Sequence, residues 1–210
     1  MNISGEDETA ALNLFGERFN FAPIELKNVK IGSVQKGKIV DFGKSSREVH
    51  VDIGVLIPKP IDASISTQHL RARLIDGKEL LLQRVVKLFC LVNNFPLRIL
   101  IKRLDDKRNC FVAELSEKQI DLFTEWICTN LERLFILGAF FENVGKAVKM
   151  SNHLRDVAEI ESLGLLEHAV ICKLGTYAAG LVPEIGRLLP NATLKVFSPR
   201  EIQRVEEIYI

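Results

Sequence analysis

From residue 29 onward the hydrophobic pattern changes period several times. Residues 31–54, IGSVQKGKIVDFGKSSREVHVDIG, alternate apolar and polar positions in two stretches around a polar turn, Lys44 to Glu48. Successive side chains of a strand leave on opposite faces. Val49, Val51 and Ile53 are therefore expected inward, and His50 and Asp52 outward. Gly37 marks a bend in the first strand, and Gly54 to Pro60 reads as a loop with two prolines. Strand, glycine, strand, turn, strand is the opening of a small OB-type barrel, an architecture that binds oligonucleotides on one face.

A helical period frames this segment. Residues 6–19 place Ala11, Phe15 and Phe19 at four-residue spacing, which predicts an amphipathic helix. Ser66 can cap a short helix with Leu70 and Leu74 on one face. Residues 79–92 align Leu81, Val85, Leu88 and Val92 as a core stripe. Residues 97–104 and 110–115 flank a charged tip, Asp105 to Asn109, and predict a hairpin. Ser116 and Gln119 have capping-box spacing, before a helix with Ile120, Phe123, Ile127, Leu131 and Leu134 on one face and Trp126 beside them. Residues 133–141 read as a buried strand, and 143–150 as a short helix.

The last third repeats the opening layout. A strand reaches Leu163-Gly164 as the first reaches Phe42-Gly43, and a second ends in Leu174-Gly175 as its counterpart ends in Ile53-Gly54. This predicts two barrel-like modules, or one split by the α+β insertion. Strand 193–197 and a terminal helix capped by Ser198, Pro199 and Glu201 close the chain. The expected fold class is α+β: an N-terminal OB-like β-barrel, an α/β sandwich, and a degenerate second OB-like segment. The corresponding divisions are 1–28 (helix and lead-in), 29–94 (barrel with helices), 95–154 (sandwich) and 155–210 (second segment and terminal helix).

Composition narrows the class. Of 210 residues, 47% are apolar and 26% charged, which supports a buried core. The acidic start MNISGEDETA excludes a secretory signal, and no apolar run reaches the roughly 18 residues that span a bilayer. Cys90, Cys110, Cys128 and Cys172 are scattered singly, so they read as reduced thiols in a cytoplasmic protein with no membrane association. The four histidines lack carboxylates at ligand spacing, so neither a metal nor a cofactor is indicated.

The net charge of +1 conceals a segregation. Between Lys27 and Arg108 there are seventeen Lys and Arg against eight Asp and Glu; the remainder holds eleven against nineteen. A segregated positive segment suits a polyanion, because neutralised phosphates release counterions.

The segment GSVQKGKIVDFG…VHVDIG resembles the RNA-binding barrel first described in ribosomal protein S-one, through Gly32, Val34, Lys36, Gly37, Ile39, Phe42, Gly43, Val51, Asp52, Ile53 and Gly54. That resemblance implies that Phe42 stacks on a base, with His50 at the second stacking position. The whole chain resembles an archaeal family of unknown function, the domain-of-unknown-function family numbered twenty-one-ten. VDIG, LERLFILGAF and LGLLEHAVICKLGTYAAGLVPEIG carry this resemblance, which implies no established activity.

The candidate nucleic-acid-binding residues are thus Phe42 and His50, with Lys36, Lys38, Lys44 and Arg47 around them. Arg71, Arg73, Lys107 and Arg108 would extend the track. The expected partner is single-stranded RNA or DNA. A protein-interaction or assembly module, with a protein partner or the ribosome on the acidic C-terminal half, is the alternative. An enzyme with a site near Gly175 is the third reading. Gly175 and Gly180 have phosphate-loop spacing, but no Lys-Ser/Thr follows. His168 and Cys172 lie four strand residues apart, roughly 13 Å, too far for a thiol–imidazole pair.

Overall fold

Alternation does build the strands, and their pairing closes a barrel. The computed structural model describes residues 7, 9, 10, 22–41 and 47–208. The N-terminal helix expected over 6–19, Phe42 and Lys44 fall wholly or largely outside these residues. Strand β1 (Ile24–Glu25) precedes β2 (Val34–Val40), β3 (Glu48–Ile57) and β4 (Ile61–Ser66). Helices α1 (Thr67–Leu74) and α2 (Leu82–Leu88) follow, then β5 (Pro96–Asp105), β6 (Cys110–Leu115) and helix α3 (Glu117–Cys128). The second part contains β7 (Arg133–Leu137), α4 (Phe141–Met150), β8 (Val157–Ser162), β9 (Glu167–Cys172), α5 (Ala178–Leu188), β10 (Thr193–Phe197) and α6 (Pro199–Ile208).

The first sheet has the order β1-β3-β2-β5-β6-β4, and an additional β3–β4 pairing closes β2 to β6 into a five-stranded barrel. Its pairs are antiparallel except β4–β6 and the appended β1–β3. Val49, Val51 and Ile53 are buried and Asp52 is exposed, as alternation requires. Gly37 sits where the barrel wall tightens: a Cβ there would fall on the Asp52 carbonyl oxygen and lie 2.6 Å from Val51 Cγ1. Strand β3 does not stop at Gly54. That glycine, at φ +79°, lies within a register shift between Val51 and Val55, and pairing resumes at Val55–Ile61. The expected loop is thus shorter than Gly54 to Pro60: residues 54–57 belong to a bulged, continuing strand, and only Pro58 to Pro60 connect β3 to β4.

Hairpin 96–115 was expected in a sandwich. Instead β5 pairs with β2 and β6 with β4, so the hairpin completes the barrel. Leu97, Ile99 and Ile101 fill its interior. Ser66 and Ser116 cap their helices through the His69 and Gln119 amides at 3.2 and 3.3 Å. Gln119 does not complete a capping box; its side-chain oxygen accepts the Arg98 amide at 3.0 Å and ties α3 to β5. Leu81 precedes α2 and is 75% exposed, so the stripe there runs through Leu82, Val85, Val86 and Leu88.

Strands β8 and β9 form no second barrel. They join β7 and β10 in an open antiparallel sheet of order β10-β7-β9-β8. Both faces of this sheet are covered, which is why every residue of β7 is buried. Leu134, Ile136, Val170 and Cys172 meet Val144 and Val148 of α4 and Leu181 and Ile185 of α5. On the other face, Phe135, Leu137, Ala169 and Phe197 enter the barrel's own core with Phe123 and Trp126 of α3. Phe95 meets Phe135 edge-on at 5.2 Å, and Trp126 meets Phe197 at 5.7 Å. The architecture is a mixed α+β fold with a closed barrel and, among the described residues, six α-helices. No helix among those residues is long and apolar enough to cross a membrane.

Candidate functional site

The outer face of the barrel is built by register. Lys38 stands opposite Asp52, and Val40 opposite His50, which in turn faces Ser64 of β4. His50 is therefore half-buried on β3, between β2 and β4. Carboxylates lie close by. Burial, then Asp52 and Asp41, push the Asp62 carboxyl above its ordinary range, while His50 pulls it back.

The predicted basic residues divide between two places. Lys36 and Lys38 line a cleft of about 280 Å³ between the barrel and the β8–β9 turn, with Gly37, Pro96, Leu163 and Glu167. There Lys38 Nζ donates to Glu167 Oε1 at 2.7 Å; the Glu167 side chain is only 2% exposed. Part of the segregated charge is thus satisfied internally, basic half against acidic half.

Arg47 sits at the other place, the end of the barrel where β3 begins. Its carbonyl accepts the amide and hydroxyl of Thr67, which anchors the start of α1 there. The β5–β6 tip comes to the same end. Arg108 forks onto Glu48, Nη1 to Oε1 at 3.0 Å and Nη2 to Oε2, and this hydrogen bonding holds the guanidinium charged. Lys107 is exposed beside it. The remaining extension residues are committed elsewhere: Arg73 to Glu117 at 2.5 Å, and Arg71 Nε to the Leu80 carbonyl at 2.5 Å. Phe42 and Lys44 lie outside the described residues.

The Gly175 segment is a structural junction. Glu132 accepts the Ala178 amide at the start of α5 (2.7 Å) and the Ser198 hydroxyl (3.0 Å). A carboxylate of the chain itself thus takes the position at the helix N-terminus that a phosphate would need. His168 and Cys172 do not pair. The His168 ring contacts the Ala139 carbonyl at 3.0 Å and Ser162 Oγ at 3.2 Å, while Cys172 is packed under α4 and α5 with its thiol pushed up to about 11 by burial. Among the described residues, no group of three His, Cys, Asp or Glu side chains is placed to hold a metal ion.

Sequence reasoning missed Arg98, Glu167 and Glu132. Alternation does place Arg98 outward on its strand. Its neighbours depend on the pairing of β2 with β5, across 62 residues of chain, from Lys36 to Arg98.

No curated protein matches the sequence. Two family models do. The DUF2110 central domain matches residues 29–127, the barrel with α1 to α3, and the DUF2110 C-terminal domain matches residues 131–197, the second sheet with α4 and α5. The boundary between the two matches falls in the short link from α3 to β7, where the barrel unit hands over to the open sheet; the chain belongs to the DUF2110 family.

Proposed function

We propose that this protein binds single-stranded RNA at the end of the barrel where β3 begins and the β5–β6 tip lies. The Arg108–Glu48 fork carries this reading, because it draws the basic β5–β6 tip onto the start of β3, beside Arg47. Closure in the order β2-β3-β4-β6-β5, with β4 and β6 parallel and helices between β4 and β5, supports an OB-like barrel. Similarity to the S-one type barrel adds Phe42 and Lys44, which lie in the same loop of the sequence as Arg47. Asp52 and Asp62 repel phosphate from the middle of the face, with His50 at the border of the contact. An archaeal, cytoplasmic setting belongs to the same reading.

The test is anisotropy of a labelled single-stranded RNA at two salt concentrations. Binding should weaken steeply with salt, since phosphate contacts release counterions. Phe42→Ala should weaken it by about 1–3 kcal/mol if a base stacks there, and Arg47→Ala or Lys107→Ala should reduce the salt slope. No binding at low salt would overturn the proposal.

A further inference from the structure

Several cations of the barrel segment have a carboxylate partner: Lys38 has Glu167, Arg73 has Glu117, Lys102 has Glu114 and Arg108 has Glu48. Lys36 and Arg98 have not. They are direct partners across β2 and β5, so both side chains leave the sheet on the same side. Both are partly buried. Among the described residues, neither side chain makes a hydrogen bond or an ion pair. Like charges directly opposed across a sheet repel each other, and partial burial adds to the cost. Lys36 shows both effects: its pKa is lowered first by burial and then by Arg98.

The pair lines a hollow of about 150 Å³ together with Pro96, Leu122, Trp126 and Leu163. Lys36, Pro96 and Leu163 also line the larger cleft of about 280 Å³, so the two spaces adjoin. Glu161, on β8, lines the hollow as well and makes no ion pair with either cation; burial raises its pKa, while Arg133 and, more weakly, Arg98 oppose the rise. Two neighbouring cations lining a hollow walled partly by apolar side chains can receive an anionic head on a compact body. A phosphate monoester carries about 1.5–2 negative charges near neutral pH and three acceptor oxygens, which matches one guanidinium fork and one ammonium.

We propose that Lys36 and Arg98 bind the phosphate of a nucleotide whose flat body lies against Pro96, Leu122 and Leu163 in the space between the barrel and the second sheet. The nucleotide is either free or one unit of a single strand. The site lies in the cleft and does not rest on RNA binding at the barrel end.

Trp126, the single tryptophan of the chain, lines the hollow and reports on it. Its emission is followed while the full chain is titrated with uridine monophosphate, adenosine monophosphate, inorganic phosphate and a short single-stranded RNA. A saturable change with a nucleotide, weaker with phosphate alone, is expected. Lys36→Gln and Arg98→Gln should each weaken it on the order of tenfold. Without ligand, the same substitutions should leave the melting temperature unchanged or raise it, because each removes a repelled charge. A structural role would lower it and overturn the proposal. A response to RNA with none to mononucleotides assigns the site to a strand. No response to any of the four, or an undiminished response in both variants, overturns the proposal. Arg47→Ala and Lys107→Ala should leave the mononucleotide response intact, so the two readings fail separately.

Discussion

Lys38 of the barrel reaches Glu167 of the second sheet, and the two positions are 129 residues apart in the chain. The Lys38 side chain is 47% exposed and its partner almost wholly covered. A Cβ on Gly164 would collide with the Glu167 carboxyl group, so a glycine in the β8–β9 turn makes room for the buried carboxylate.

This asymmetry sets the first prediction. Lys38→Ala strands a buried carboxylate, held then, among the described residues, by the Leu166 amide at 3.3 Å, and should cost about 1–3 kcal/mol in urea unfolding. Combining it with Glu167→Gln should recover part of that loss, since a neutral amide needs no counter-charge. Equal losses in the single and double variants would contradict the pairing.

Two glycines should respond with opposite sign. Gly37→Ala drives a methyl group into the Asp52 carbonyl and Val51, and should destabilise by about 1–3 kcal/mol. Gly145 lies inside α4 with no atom within 4 Å of a built Cβ. Gly145→Ala should therefore stabilise by about 0.5–1 kcal/mol. Thermal melts of the two variants decide it.

Glu132 ties the start of α5 to the residue preceding α6, through the Ala178 amide and the Ser198 hydroxyl. Glu132→Ala removes both bonds and should cost about 1–2 kcal/mol, as loss of a helix cap does. Hydrogen exchange should rise first at the N-terminal turn of α5. Faster exchange spread evenly over the chain would argue against a local cap.

Acid should weaken the fold as histidines titrate. His69 Nε2 accepts the Leu115 amide at 3.1 Å, so this ring must be neutral there. Burial lowers its pKa and that of His168. With the folded pKa depressed, the unfolded chain takes up protons first. Stability contributed by these groups is complete above the unfolded value of about 6.5 and is lost as pH falls through the folded values. Asp62 and Glu161 have raised pKa values and act with the opposite sign, in the range above their ordinary values of about 4. The urea midpoint should thus fall from about pH 7.5 to about pH 5.5, and an unchanged midpoint would contradict the buried neutral imidazoles.

Local pattern was enough wherever neighbours in the chain settle the outcome. The alternation of Val49, Val51 and Ile53 and the serine caps before α1 and α3 follow from spacing and backbone sterics within a few residues. The candidate residues were legible as types, basic and aromatic near one loop, but not as a constellation.

Which strand lies beside which was decided only in three dimensions. Local turn chemistry made residues 155–189 look like a copy of the opening, yet β9 pairs with β7 and β8 in an open sheet, while β5 and β6 close the first barrel. Lys36 meets Arg98, and Lys38 meets Glu167, because strand register and the aromatic core bring distant segments together. A period of two in the sequence says which face a side chain leaves from; the pairing of strands across a shared core determines what it then meets.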